Sequence, residues 1–163
     1  MLKRSAASLG LALWLATPGA AHDFRGGTIE ISHPWSRPTT ASAPVASGYM
    51  KLMNMGRASD RLLSVSSPVA ERAELHRFVS QDGATRMRPV SGGLPVASGA
   101  TVDFEADRLH VMFIKPTRTL RDGDRFPATL MFEKAGPVDI EFVVQRRASG
   151  ASSDGHAGHG TVD

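Results

Sequence analysis

Phe126-Pro127-Ala128-Thr129-Leu130-Met131-Phe132 and Val138-Asp139-Ile140-Glu141-Phe142-Val143-Val144 decide the fold class of this chain. In the first stretch Phe126, Ala128, Leu130 and Phe132 fall on one face, with Thr129 and Met131 on the other. In the second, Ile140, Phe142 and Val144 alternate with Glu141, Val143 and Gln145. A period of two is the signature of a half-buried β-strand. Turn signals bracket both stretches, with Asp122-Gly123 before the first and Gly136-Pro137 before the second. Working outward, Asp82-Gly83, Ser91-Gly92-Gly93 and Ser98-Gly99 divide the preceding chain in the same way. Strands are expected near 28–32, 47–53, 62–66, 73–79, 85–90, 101–104, 109–114, 126–132 and 138–144, with no long segment of helical period. Short strands at regular turn spacing predict an all-β sandwich or barrel of about eight or nine strands. Pro34 to Ala46, with three prolines among small residues, reads as a long surface connection.

The ends read differently. Lys3 and Arg4, the apolar run from Leu9 to Ala16 and the small residues up to Ala21 have the layout of a cleavable signal peptide, residues 1–21. The apolar run is too short to span a bilayer, so no membrane span is expected in the mature form. Export by general secretion is expected, with the periplasm as the expected compartment. Residues 22–147 are expected to form one domain. Residues 148–163 are Ser-, Gly- and His-rich, and are expected to form a flexible tail that buries too little apolar surface to fold. Losing Lys3 and Arg4 lowers the 19 basic residues to 17 against 16 acidic ones, and no Lys/Arg block marks a nucleic-acid surface. The chain has no cysteine, so the fold cannot depend on disulfides, and a blue-copper centre, which needs a thiolate, is excluded.

The chemistry begins in Arg108-Leu109-His110-Val111-Met112-Phe113-Ile114. Residues two apart in a strand share a face, so His110 and Met112 project side by side while Leu109, Val111 and Phe113 face a core. His76 sits in the strand Glu74-Leu75-His76-Arg77-Phe78, and Met87 lies across the Asp82-Gly83 turn in Arg86-Met87-Arg88. A hairpin there brings His76 and Met87 near each other. Four soft or borderline donors then converge, a set that suits Cu(I) far better than Mg, Ca or Mn. Phe78, on the face of His76, is read as shielding or packing.

The spacing His76, ten residues, Met87, twenty-two residues, His110-Val111-Met112 resembles the motif of the periplasmic copper chaperone family PCu(A)C. Ala21-His22-Asp23-Phe24, Ser47-Gly48-Tyr49-Met50, Asp60-Arg61-Leu62, Glu74-Leu75-His76, Met87-Arg88-Pro89-Val90 and Phe132-Glu133-Lys134-Ala135-Gly136 are similar to the family's words around that motif. The resemblance covers roughly His22 to Val144. It departs in carrying one residue more than the family's usual spacing between Met87 and His110, which the stretch from Ser91 to Gly99 is expected to absorb as a loop. The resemblance implies a cupredoxin-like β-sandwich that binds one Cu(I) through His76, Met87, His110 and Met112, without enzymatic turnover. It implies a copper-accepting partner such as cytochrome c oxidase subunit II or a thiol-containing assembly factor. The protein is expected to be a monomer.

Other residues carry further expectations. His22, at the start of the mature chain, would offer an α-amine and an imidazole to Cu(II), and His156 and His159 offer two more imidazoles on the tail. Met50, Met53 and Met55 are read first as strand and loop packing and second as a methionine path for copper. Met131 is expected to pack, His33 to be structural or superficial, and Trp35 to cap the core. The competing functions are Cu(II) sequestration through His22 and the tail, a copper enzyme built on an N-terminal histidine, and a metal-free β-sandwich assembly module.

Overall fold

The computed structural model describes residues 23–147. Its elements are β1 (Phe24–Gly26), β2 (Ile29–Ser36), β3 (Val45–Asn54), β4 (Asp60–Ser66), β5 (Ala70–Gln81), β6 (Ala84–Pro89), β7 (Leu94–Val96), β8 (Thr101–Asp103), β9 (Leu109–Pro116), β10 (Arg125–Phe132) and β11 (Gly136–Val144). Nine of the strands form one hydrogen-bonded path, β6-β5-β9-β3-β2-β11-β10-β4-β7, with β1 added to β2 and β8 added to β3. Phe113 of β9 meets Phe126 of β10 and Phe142 of β11 edge-on, at centroid distances of 5.2 and 5.4 Å. Two strands separate β9 from β11 along the path. The sheet therefore curls over itself into a cupredoxin-like sandwich, with these rings at its centre.

Gly48 in β3 makes this close approach possible. A Cβ there would lie 2.8 Å from Phe113 and 2.9 Å from Phe142. Two buried polar groups fasten the loops. The Asp60 carboxylate accepts backbone N–H bonds from Arg61, Lys134 and Ala135, at 2.7, 2.9 and 2.9 Å. Burial alone would raise its pKa, but the three N–H donors together with the Lys134 charge outweigh it and hold the carboxyl below the usual range. The Asn54 amide donates to the carbonyls of Val96 and Ala58.

All nine expected strands are present, and two more were missed. β1 is only three residues long. β7 falls in the stretch expected to be a loop. Its Leu94 and Val96 are buried in the core, and Pro95 is tolerated because β7 ends the path. The expected surface connection from Pro34 to Ala46 also needs correction at both ends. β2 runs on through Pro34 and Trp35 to Ser36, and β3 begins at Val45. A bulge makes this possible: Ser32 pairs with Lys51 and Trp35 with Tyr49, so His33 and Pro34 stand against Met50 alone. His33 takes a positive φ of 51° there and is exposed. Trp35 is buried, stacks on Tyr49 at 4.7 Å and carries the Arg147 guanidinium over its ring. Met131 does not pack as expected. It lies on the outer side of β10 and is exposed.

Candidate metal centre

β5 and β9 are antiparallel neighbours, and His76 is the direct cross-strand partner of His110. The next rung on that face pairs Glu74 with Met112. The imidazole centroids are 5.9 Å apart. On the other side of β5, Gln81 and Ala84 close a two-residue turn in which Asp82 and Gly83 both have positive φ, 52° and 76°. An Asp-Gly pair satisfies that turn type. It sets the register so that Phe78, not His76, is the direct partner of Met87, while His76 faces Pro89. Met87 is thus a diagonal neighbour of His76 on the same face, still within reach of a long side chain. The sheet brings all four sequence-predicted donors to one surface, at the β6 end of the path.

Exposure grades across this surface. His110 is 2% exposed, under a Phe78 ring stacked on it at 4.9 Å. His76 and Met112 are half-buried, and Met87 is 45% exposed. Burial pushes the His110 imidazole below its ordinary pKa, and the nearby His76 pushes it the same way. It is therefore neutral at neutral pH, the form that can ligate a metal.

His76 and His110 each have a buried Nδ1 with no hydrogen-bond partner. A buried ring nitrogen without a partner is costly in a finished fold. A metal ion bound at a bare ring nitrogen would remove that cost. Sequence reasoning missed Glu74 in this arrangement. Its Oε2 lies 2.9 Å from His76 Nε2, and its Oε1 accepts from Arg72 Nε at 2.9 Å. The hydrogen bonds from His76 and then Arg72 hold the Glu74 carboxyl below the usual range. A charged carboxylate there fixes the proton on His76 Nε2 and leaves Nδ1 bare, the usual support for a metal-ligating histidine. Its signal in the sequence was its position two residues before His76, on the same strand face.

Among the described residues no group of three or more His, Cys, Asp or Glu has the geometry to hold a metal ion. An ion held by the two imidazoles would draw its remaining protein ligands from the thioethers, which fits a soft monovalent ion better than a hard divalent one. A cleft of about 240 Å³ lined by His33, Trp35, Met50 and Lys51 contains none of the four donors. Met50 is buried, whereas Met53 near the end of β3 and Met55 just after it are exposed, away from these donors in the pairing scheme. His22, His156 and His159, with the expected leader and tail, lie outside the described residues.

The LpqE-like family model, described for a lipoprotein, matches residues 29–144, which include all four donors. The chain belongs to this family, in its PCuAC type. Its fold is similar to the copper-bound PCuAC domain from PmoF2, with a TM-score of 0.65 and 26% identity over 77% of this chain and 99% of that one. The apo form of DR1885 from Deinococcus radiodurans shares the fold, with a TM-score of 0.58 at 17% identity over 92% of this chain and 100% of that one. An uncharacterized protein of Rickettsia prowazekii (strain Madrid E), RP573, is 28% identical over 108 residues, 64% of this chain and 60% of the relative's length. In this PCuAC-type chain the extra residue before His110 leaves the β5–β9 register intact, since His110 still faces His76.

Proposed function

We propose that this protein is a periplasmic copper chaperone that holds one Cu(I) through His76, Met87, His110 and Met112. The observation that carries this reading is the pair of cross-strand histidines, each with a buried, unpartnered Nδ1, on one surface with two thioethers. The likeness to a copper-bound PCuAC domain supports it. Two neutral imidazoles and two neutral thioethers bind Cu(I) softly, without the thiolate that would make release slow. Met87, the most exposed donor, is the first that an incoming thiolate can replace. Cargo then passes by ligand exchange to an acceptor such as the copper centre of cytochrome c oxidase or a thiol-containing assembly factor. No catalytic turnover is required.

In this reading residues 1–21 direct export and are removed, 22–147 form the copper-binding domain of a monomer, and 148–163 carry His156 and His159 as a secondary Cu(II) site, with His22 as a further donor. The test is X-ray absorption on the Cu(I)-loaded mature protein with competition titration of His110→Ala and Met112→Ala. Sulfur and nitrogen neighbours, with affinity lowered at least tenfold by either substitution, are expected on ~1.4 kcal/mol per decade. A shell of only nitrogen and oxygen would refute the assignment.

A further inference from the structure

The hairpin that carries His76 and Met87 has a second face. Arg77 and Arg88 are direct partners there, and Arg86 faces Val79 two residues along. By strand alternation these arginines lie on the side away from His76, Phe78 and Met87. All three arginines are exposed. Among the described residues none of their side chains makes an ion pair or a hydrogen bond, whereas Arg61, Arg72, Arg118, Arg125 and Arg147 each hold a carboxylate. Asp82 at the turn is the single acid between residues 77 and 89.

Like charges placed directly opposite destabilise a β ladder, so the Arg77–Arg88 rung is a cost to the fold. β6 is also an edge strand, and edge strands often carry charge to block self-pairing. That protection works with either sign, and mixed signs would avoid the repulsion. Three arginines against one acid between residues 77 and 88 suit a ligand of opposite sign. A partner lying along β6 would meet the arginines on one side of the strand and the half-exposed Met87 thioether on the other.

We propose, on the chaperone reading, that β6 and Arg77, Arg86 and Arg88 form the docking surface for an acidic, thiol-bearing surface of the copper-accepting protein. The arginines steer the acceptor to the edge strand, and its thiol approaches from the side of the most exposed donor. Charge steering of this kind raises association rates and fixes orientation more than it adds affinity.

The experiment uses two synthetic peptides, each with two cysteines, one flanked by glutamates and its twin by glutamines. In the metal-free mature protein at low ionic strength, the acidic peptide should shift the backbone amides of residues 84–88, and the twin should not. From the Cu(I)-loaded protein, transfer to the acidic peptide should be about tenfold faster than to the twin, and high salt should abolish the difference. The Arg86→Glu/Arg88→Glu variant should keep its Cu(I) affinity and lose the preference. It should also fold, because Arg88→Glu sets an opposite charge across from Arg77. Equal transfer rates to both peptides would overturn the docking proposal and leave the chaperone standing. No transfer to either would overturn the chaperone reading and the docking surface with it. Amide shifts at residues 84–88 with anionic lipid vesicles but not with the acidic peptide would assign the patch to a membrane and overturn the proposal.

Discussion

Glu74 Oε2 lies 2.9 Å from His76 Nε2, and this contact decides which nitrogen of His76 is free. With the proton held on Nε2, the buried Nδ1 keeps its lone pair. Glu74→Gln should preserve the side-chain shape while weakening this control, and Glu74→Ala should remove it. Losses of Cu(I) affinity of about 10-fold to 100-fold are expected for the alanine variant, with glutamine between it and wild type. Competition titration measures the affinity, and nitrogen NMR of the metal-free ring reports the tautomer. An unchanged tautomer and affinity in Glu74→Ala would show that the carboxylate plays no part.

His110 links stability to pH in the metal-free protein. Burial and His76 lower its folded pKa below the unfolded value of about 6.5. Between those two values the unfolded chain binds more protons, so stability should fall as pH drops through that window. It is fully present above the unfolded value. His110→Phe removes the titrating group and should flatten this part of the curve. Denaturant midpoints between about pH 7 and pH 5 provide the measurement, and an identical slope in the variant would contradict it.

Gly48→Ala tests the centre of the sandwich. The added methyl meets the Phe113 and Phe142 rings at under 3 Å, so one of the stacked strands must shift. Overpacking of this kind costs about 1–3 kcal/mol. Because Phe113 and the donors His110 and Met112 share β9, Cu(I) affinity should also fall. A variant with wild-type melting temperature would show that the ring cluster yields without cost.

Truncation after Arg147 separates the two proposed copper sites. His156 and His159 offer imidazoles and no thioether, which favours Cu(II) over Cu(I). The shortened protein should lose most of its Cu(II) binding and keep its Cu(I) affinity. Titration with each ion on both forms is the measurement. Undiminished Cu(II) stoichiometry after truncation would make the tail a bystander.

Local pattern determined a great deal here. Strand alternation in residues 126–132 and 138–144, the Asp82-Gly83 turn, and the shared face of His110 and Met112 all follow from backbone geometry within a few residues. Each appears in the structure as the sequence predicts. The tertiary structure decided what sequence separation hides. His76 and His110 become partners only because Leu75, Val111 and Phe113 bury the opposite face of the β5–β9 pair in the core. The bulge at His33 and Pro34 turns an apparent loop into a strand, because a proline without an N–H fits where the ladder is already broken. β7 was invisible for a related reason: Pro95 masks a three-residue strand that only core burial of Leu94 and Val96 holds in place. The Glu74–His76 contact and the Arg77–Arg88 rung depend on register and rotamer, which long-range packing fixes and composition does not.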